Sequence, residues 1–488
     1  MGLSFEVKES DLLGRIGTLQ VGGKTLETPY MFPVIHPVNQ LIHPSELLSM
    51  GFRGLMTNSY ILRKRRRDEA LEKGIHRLLE FDGMFITDSG GYQVLEYGDL
   101  DVGYRDVAEF QAAIGTELAV TLDRPTGYPQ RRPVARETVE YSLKNARGTL
   151  AEFGDRPTAW VGPIQGGLYQ DLVKRSAKAL VAAGFGILAL GSPVQVMENY
   201  MFADLVDMVI AARRAIPYSV PLHLFGAGHP LTMPLAVALG CDTFDSASYV
   251  LFARTGRYMS RSGILTLQSM KHLPCSCAVC SKTSVKELLE LDHPGRTRAL
   301  SLHNLHVLRE ELEGCKEAIV EGRLWDLVEE RSMTHPRLRD AFARLAEYSE
   351  DLEAGTPAMK ERGLFVRSDL DLRRPELAMA ARRLAGAARR SSKKAVIVEG
   401  HGLGSPKRDA DAYVVHPQLG PVPAELSFQY PFSQTEAALA QGAGDAAGAK
   451  RRLRELGYSS VSAGGKVRSR RSRRGGSPSP RSSSARSR

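Results

Sequence analysis

Short apolar runs alternate with amphipathic segments along the first half of the chain. The segments at 134–153, 170–183 and 201–215 have the 3.6-residue period of helices. Strands separated by helices of this length favour right-handed crossovers and a parallel sheet. The eight apolar runs therefore predict an α/β fold built on a (β/α)8 TIM barrel, with a doubly wound open sheet as the alternative. These runs are 30–35, 54–58, 84–87, 118–122, 159–164, 186–190, 221–225 and 242–244.

Polar and glycine-rich motifs follow nearly every predicted strand. The C-terminal ends of parallel barrel strands meet on one face, and active sites are built there. Turns and helix N-caps need Gly, Asp and Ser in any case, which explains some of these motifs. It does not readily explain the convergence of four carboxylate and amide side chains, namely Asp88, Asp123, Gln165 and Asp245.

Three of the five cysteines, Cys275, Cys277 and Cys280, fall within six positions, and His303 follows after 22 intervening residues. Thiolates crowded this closely usually share a metal, and the histidine would complete the closed tetrahedral site typical of structural Zn2+. The alternative is that three buried or free cysteines cluster by chance and bind no metal. The other two cysteines stand alone and are interpreted as ordinary core residues.

The second half of the chain predicts smaller units after the barrel. Helices are expected at 283–291, at 297–314 and onwards to Leu352, before a Gly/Pro break at 355–357. A basic helix at 373–390 precedes short strands at 394–399, 412–415 and 424–428. The predicted domains are a barrel (1–270), a zinc-binding helical subdomain (271–355), a small α+β domain (356–436), and an Ala/Gly linker with a disordered basic tail (437–488). A helix is expected within the linker, at 437–463.

Composition and charge narrow the class of protein. The sequence has no run of 18 apolar residues, so we expect no transmembrane helix. The polar N-terminus has no apolar core of a signal peptide. We therefore expect a cytoplasmic protein with reduced thiols. Nine of the 65 basic residues lie between Lys466 and Arg488, which leaves the rest almost balanced by the 55 acidic ones. This tail is either a solubilising end or a non-specific phosphate-binding segment.

Four motifs identify a family by their residues and by their order. They are F-I-T-D-S-G-G-Y-Q at 85–93, I-Q-G-G at 164–167, D-T-F-D-S-A-S-Y at 242–249, and C-S-C-A-V-C followed by His303. They resemble the tRNA-guanine transglycosylases, and the stretches 222–230 and 420–432 resemble the archaeal branch. The resemblance covers about residues 1–435. It implies a zinc-containing TIM-barrel enzyme that exchanges guanine at the fifteenth position of the tRNA D-loop for 7-cyano-7-deazaguanine, towards archaeosine.

The resemblance also assigns the two catalytic roles. Breaking an N-glycosidic bond creates positive charge at the ribose C1′, which a carboxylate can stabilise and attack. A second carboxylic acid can protonate the leaving base and deprotonate the incoming one. By the resemblance Asp245 is the nucleophile and Asp88 is the acid/base, and the swapped assignment stays open.

Other strand-end residues suit the recognition of a purine. Asp123 can accept hydrogen bonds from N1–H and N2–H of guanine, and Gln165 can donate to O6. Ser89, Gly191 and Ser192 are candidates for further polar contacts, and Tyr92 and Phe225 for a sandwich of the flat base. Taken singly, several of these residues fit structural roles, and His223 and His229 are interpreted as structural.

The implied partners are tRNA, guanine and 7-cyano-7-deazaguanine, with a homodimer expected from the family and no membrane. Archaeal members usually carry a C-terminal RNA-binding module of the PUA type, and residues 437–488 contain no recognisable module. A separate PUA-type subunit, or the basic tail, would then help to bind tRNA. Two alternatives stay open: a transglycosylase for another deazaguanine or tRNA position, and a non-catalytic tRNA-binding partner subunit. The presence of both Asp88 and Asp245 counts against the second.

Overall fold

The structure, a computed structural model of the chain, describes residues 2–91, 103–387, 390–398, 409–437 and 445–463. The chain forms two compact units. One contains Met1–Arg362 and Arg373–Ala378, and the other contains Gly363–Leu372 and Met379–Arg488. Among the described residues, no helix is both long enough and apolar enough to cross a membrane.

An antiparallel sheet that the apolar pattern does not predict precedes the barrel. Its strands β1 (Ser4–Asp11), β2 (Gly14–Val21) and β3 (Lys24–Thr28) pair in that order. Leu26 of β3 belongs to the same buried cluster as Met84, a residue that begins a barrel strand. The sheet therefore packs on the barrel end where the strands begin, and the opposite end is left for the site.

Eight parallel strands close into a barrel, as predicted from the apolar runs. They are β4 (Tyr30–Ile35), β5 (Gly54–Asn58), β6 (Met84–Asp88), β7 (Leu118–Val120), β8 (Ala159–Ile164), β9 (Ile187–Leu190), β10 (Leu222–Leu224) and β11 (Thr243–Ser246). Their order is β10-β11-β4-β5-β6-β7-β8-β9. Because β10, at one end of this order, also pairs with β9 at the other end, the sheet has no edge and the open-sheet alternative is wrong.

Helices connect the barrel strands close to the predicted positions. The helix Gln170–Ala183 matches its predicted range. The helix Arg132–Phe153 begins two residues before its predicted start at 134. In the part of this region that the structure describes, the helices are Pro44–Ser49, Ser59–Leu79, Tyr104–Ala113, Arg132–Phe153, Gln170–Ala183, Pro193–Glu198, Phe202–Arg213, Met233–Ala238 and Ser248–Arg254.

A hairpin and further helices follow the barrel. β12 (Arg257–Ser260) and β13 (Gly263–Thr266) pair antiparallel, which the sequence pattern does not predict. The predicted helix that carries His303 is confirmed and is longer than expected at both ends. The helices are Val285–Glu290, His293–Val320, Leu324–Ser332, Pro336–Glu347 and Ser349–Leu352, with 3-10 turns at Leu267–Ser269 and Glu353–Gly355.

The second unit contains two small sheets. Its strands are β14 (Leu364–Val366), β15 (Lys394–Ile397), β16 (Asp411–His416), β17 (Gly420–Pro423), β18 (Thr435–Ala437) and β19 (Ser460–Ala463). β14 pairs with β18, and the other four form a sheet in the order β17-β16-β15-β19. The remaining helical segments among the described residues are Asp369–Arg373, Pro375–Ala387 and Ala446–Glu455.

The structure corrects two expectations in this unit. The strand predicted at 424–428 is wrong, because successive turns such as Ser427 N–H to Ala424 O replace a ladder there. Residues 445–463, interpreted as a linker with a helix, contain that helix and in addition β19, an unpredicted strand that pairs in parallel with β15. The predicted basic tail, residues 466–488, lies outside the described residues.

Candidate active site and metal centre

Asp88 ends β6 and is held by the last residue of β5 and the first residue of the helix that follows it. The Asn58 side chain donates from Nδ2 to Asp88 Oδ2 at 2.8 Å, and the Ser59 hydroxyl donates to the Asp88 carbonyl at 2.6 Å. Burial raises the pKa of Asp88 to about 6, and the nearby charge of Asp245 adds to this shift. Hydrogen bonds from Asn58 and from backbone N–H groups oppose it. A carboxyl group with such a pKa can hold and release a proton near neutral pH.

Asp245 lies in β11, and two donors hold one of its oxygens. The Gly226 N–H donates to Oδ1 at 2.9 Å, and His223 Nε2 lies 3.0 Å from the same atom. Nδ1 of the buried His223 lies 3.0 Å from the Thr243 hydroxyl. A neutral imidazole that donates from Nε2 and accepts from Thr243 satisfies both contacts. Within the described residues Oδ2 of Asp245 has no hydrogen-bonding partner, so this oxygen is available to a substrate.

Asp123 and Gln165 form a rigid polar pair beside these carboxylates. Gln165 donates from Nε2 to Asp123 Oδ2 at 2.6 Å. Its Oε1 accepts from the Thr126 N–H at 2.9 Å, the Thr126 hydroxyl at 3.2 Å and the Ser192 hydroxyl at 3.0 Å. These bonds fix the amide orientation and leave the second N–H of Nε2 for another acceptor. Burial and then the charge of Asp88 raise the pKa of Asp123 to about 7.

Two glycines let the backbone approach this pair closely. A Cβ on Gly91 would lie 2.2 Å from Asp123 Oδ1, and a Cβ on Gly191 would lie 2.2 Å from Gln165 Nε2. Side chains at either position would displace the polar pair. Ser192, next to Gly191, has a φ of 64°, a left-handed backbone that non-glycine residues adopt at some cost. The backbone at both glycines therefore packs directly against the polar pair.

Three further residues, Ser89, Phe225 and Tyr92, were predicted to contact the base. Ser89 is buried, and its hydroxyl has no hydrogen-bonding partner in the part of the chain that the structure describes. Phe225 is half-buried and meets His223 edge-on, with 4.9 Å between the ring centroids. Tyr92, the other predicted sandwich residue, lies outside the described residues.

A second constellation follows the barrel. The ligand atoms of Cys275, Cys277, Cys280 and His303 all lie within 4.8 Å of one another. Nδ1 of His303 is 3.6 Å from Cys277 Sγ and 3.4 Å from Cys280 Sγ. Ligand atoms about 2.0–2.3 Å from a tetrahedral ion stand roughly 3.5–3.8 Å apart. The group could therefore hold a metal ion.

The hairpin β12–β13 supports this group. His303 Nε2–H donates to the Met259 carbonyl at 2.8 Å, which leaves Nδ1 unprotonated and directed at the thiols. The Tyr258 ring stacks on His303 with 3.7 Å between centroids, and its hydroxyl lies 3.4 Å from Cys280 Sγ. The spacing of the cysteines does not predict the contacts of Tyr258 and Met259 with the metal ligands, because both residues lie outside the ligand motif.

A comparison with known proteins places both the barrel and the four candidate metal ligands within one protein family. A family model described as Queuine tRNA-ribosyltransferase matches residues 10–337 of the chain. The chain belongs to the tRNA-guanine transglycosylase family. The matched region contains the barrel and all four candidate metal ligands of this transglycosylase.

Relatives named tRNA-guanine(15) transglycosylase align over most of the chain. The one from Methanopyrus kandleri is 39% identical over 466 residues, which cover 94% of this chain and 99% of that protein. The one from Thermococcus kodakarensis is 43% identical over 434 residues, covering 88% and 71%. The one from Sulfolobus acidocaldarius is 38% identical over 443 residues, covering 88% of both chains. The resemblance seen in the motifs is confirmed, and the chain is an enzyme of the transferase class.

Two residues that the sequence interpretation did not assign to the site contact its carboxylates. Asn58 bonds to Asp88, and His223, interpreted above as structural, bonds to Asp245. His223 stands between two leucines on β10. A single polar residue between two apolar ones is the signal that could have placed it on a different face from them.

Proposed function

We propose that this transglycosylase exchanges guanine at position 15 of tRNA for a free base, the reaction for which its relatives are named. The pair of carboxylates carries the proposal. Asp245 has one oxygen held by two donors, and the neighbouring Asp88 has a raised pKa. A fixed nucleophile beside a carboxyl group that titrates near neutral pH suits the cleavage of an N-glycosidic bond.

The proposed first step forms a covalent aspartyl-ribose intermediate. Oδ2 of Asp245 attacks the ribose C1′ while the bond from C1′ to guanine N9 breaks. The electron pair of that bond goes to N9, and the leaving base takes the proton of Asp88. In the second step the incoming base gives its N9 proton to Asp88 and attacks C1′, and the carboxylate of Asp245 leaves. The hydrogen bonds to Oδ1 favour Asp245 over Asp88 as the nucleophile, because they orient the other oxygen.

The proposed recognition of guanine uses the rigid polar pair. The carboxylate of Asp123 accepts from N1–H and N2–H, and the second N–H of Gln165 donates to O6. The buried Ser89 hydroxyl, the backbone at Gly191 and Ser192, and the Phe225 ring supply further contacts. The unpartnered Ser89 hydroxyl supports a polar ligand here, because a buried polar group without a hydrogen bond costs about 1–3 kcal/mol.

We propose 7-cyano-7-deazaguanine as the incoming base. It carries the same N1–H, N2–H and O6 edge as guanine, so Asp123 and Gln165 would bind both bases in the same way. The reaction would then be a step towards archaeosine. A homodimer, a separate PUA-type RNA-binding subunit and a cytoplasmic location remain predictions.

We propose that the metal of Cys275, Cys277, Cys280 and His303 is one structural Zn2+. The donor set of three thiols and one imidazole matches zinc, and the neutral Nδ1 of His303 is ready to bind it. Four protein ligands leave no position for a reacting water. The bound ion would fix the segment of the three cysteines, 275–280, to the helix of His303.

Incorporation of labelled guanine into an unmodified tRNA transcript tests the proposed exchange without assuming the modified base. The wild type should incorporate the label at position 15, and Asp245→Ala should not, although it keeps the circular-dichroism spectrum and tRNA affinity of the wild type. Labelled 7-cyano-7-deazaguanine then tests the incoming base. Exchange by Asp245→Ala at the wild-type rate would overturn the assignment of the nucleophile, and no exchange by the wild type would overturn the proposed function.

A further inference from the structure

Five consecutive basic residues, 63–67, lie in the helix Ser59–Leu79 that follows β5. Arg66 has a structural role at a kink in this helix, since it bonds to both Glu69 carboxylate oxygens at 2.9 Å and donates to the Pro37 carbonyl. The other four have exposed or half-buried side chains, and none forms an ion pair with an acidic residue of the described ranges. These four are Arg63, Lys64, Arg65 and Arg67.

This helix begins at the proposed acid/base. Asn58 and Ser59, at its start, both bond to Asp88. At a rise of about 1.5 Å per residue, Arg63, Lys64 and Arg65, which precede the kink, lie roughly 6–9 Å along the helix from Ser59. Nucleotides that flank a base bound at Asp88 are therefore within reach of these long side chains.

Positive charge continues around the same rim of the barrel. His36 follows β4, and Arg254 ends the helix that follows β11. Strands β11, β4, β5 and β6 are consecutive in the barrel, and Asp245 lies on the first and Asp88 on the last. The basic groups therefore follow β11, β4 and β5, along the arc that joins the two carboxylates.

His36 lies between the two ends of this arc, because β4 lies between β11 and β5 in the barrel. Burial and the charges of Arg254 and Arg65 lower the pKa of His36. The ring accepts from the Val38 and Asn39 N–H groups at Nδ1, at 3.1 and 3.0 Å. The neutral ring therefore carries its proton on Nε2, and the exposed side chain offers an N–H donor.

We propose that this basic arc, formed by His36, Arg63, Lys64, Arg65, Arg67 and Arg254, binds the phosphates of the tRNA strand that flanks the exchanged nucleotide. The inference rests on the proposed function, because it takes tRNA as the occupant. Charge complementarity selects RNA: residues 59–67 contain no acidic side chain, and the charge of the chain outside its tail is almost balanced. Phosphate contacts position a nucleic acid without reading its sequence, so base recognition stays with Asp123 and Gln165.

The salt dependence of tRNA binding tests the arc. Each phosphate contact that is lost should flatten the slope of log affinity against log salt by about 0.7. The variant Arg63→Gln/Lys64→Gln/Arg65→Gln/Arg67→Gln should therefore lose roughly 2–3 units of slope. Between about 50 and 200 mM salt, the wild type should lose roughly 50-fold more affinity than this variant.

Two double variants provide a matched comparison if the fourfold variant misfolds. Arg65→Gln/Arg67→Gln should flatten the slope by about 1.4 units. Lys174→Gln/Lys178→Gln removes the same charge from the exposed face of Gln170–Ala183, a helix that follows β8, three strands away around the barrel. This control should keep the wild-type slope. Equal slopes for the wild type and the arc variant, or equal flattening in both double variants, would overturn the proposal.

Guanine exchange separates this inference from the proposed function. The arc variants should raise the KM for tRNA and keep the kcat at saturating tRNA, because the arc does not contact the reacting base. Exchange by the wild type with no change of slope in the arc variants would overturn the arc alone. A wild type that binds tRNA through the arc but exchanges no guanine would overturn the proposed function and support the arc. Absence of tRNA binding by the wild type would overturn both.

Discussion

Nε2 of His223 lies 3.0 Å from Oδ1 of Asp245, and both side chains are buried. The Thr243 hydroxyl holds the other ring nitrogen, so the imidazole has little freedom to turn. His223 therefore acts as a positioning residue for the proposed nucleophile, because it fixes one carboxylate oxygen and thereby orients the other.

The variant His223→Ala should lower kcat by roughly 10–100-fold, because a misplaced nucleophile loses alignment with C1′. The KM for tRNA should change little, since a buried side chain does not contact RNA phosphates. His223→Gln, which keeps an N–H donor, should recover part of kcat. Steady-state kinetics of guanine exchange on folded variants makes the measurement. A wild-type kcat in the alanine variant, or a change confined to KM, would contradict a positioning role.

The variant Asp88→Asn should abolish exchange and stabilise the protein near neutral pH. The folded state raises the pKa of Asp88 from 3.8 to about 6, so it binds this proton more tightly than the unfolded state does. The resulting stabilisation is complete below pH 4 and is lost as pH rises through about 6. At pH 7.5 the ionised carboxylate destabilises the wild type, and asparagine should recover about 1–3 kcal/mol. Thermal unfolding from pH 4 to 8 checks this, because the difference in Tm should disappear at the acidic end.

The barrel could be predicted from sequence because its strands are buried on both faces and appear as continuous apolar runs. β1 was missed for the opposite reason, since S-F-E-V-K-E-S-D alternates charged and apolar residues and has one exposed face. The false strand at 424–428 has the same alternation, but its backbone forms successive turns. Period alone does not separate a half-exposed strand from a chain of turns.

Short sequence motifs were enough to predict four polar residues of the candidate site, but not the contacts between them and residues outside the motifs. Asp88 and Asp245 lie at the C-terminal ends of their strands, Asp123 and Gln165 follow theirs, and all four meet on one face of the barrel. The contact between His223 and Asp245 depends on the pairing of β10 with β11, in which His223 is opposite Thr243. Such register is a non-local property that local sequence does not contain. The Met259 carbonyl reaches His303 across 44 residues for the same reason.

Binding of free guanine should weaken at acidic pH. Burial and the charge of Asp88 raise the pKa of Asp123 to about 7, and only its carboxylate form accepts from both N–H groups of the base. Affinity should therefore fall about tenfold for each pH unit below 7 and level off above it. Calorimetric titration between about pH 5.5 and 8 measures this. Asp123→Asn should bind weakly at every pH, and a flat profile in the wild type would contradict the assigned role of Asp123.

The variant Cys277→Ser should lose the bound metal. One thiolate of the four-ligand group is removed, and metal binding contributes to folding stability. Elemental analysis should find about one zinc per wild-type chain and almost none in the variant, with a lower Tm. Cys315→Ala is the control, because this buried cysteine lies outside the group and should leave the metal content unchanged. Equal zinc in Cys277→Ser and the wild type would refute the four-ligand site.

The variant Ser89→Ala should separate binding from stability. The Ser89 side chain is buried, and its hydroxyl has no hydrogen-bonding partner within the described residues, so its removal should leave the free protein as stable or slightly more stable. If the bound base supplies the missing partner, the affinity for guanine should fall about tenfold, which corresponds to about 1.4 kcal/mol.

Ser142→Ala is the matched control for this serine. Ser142 is also buried, but its hydroxyl already accepts from the Arg124 N–H at 3.1 Å. Its loss should destabilise the protein by about 1–3 kcal/mol, because a buried donor is left without a partner, and it should not change guanine affinity. Thermal unfolding and calorimetric titration of both variants measure the contrast. A Ser89→Ala variant that loses stability and keeps its affinity would show that Ser89 supports the fold and does not contact the base.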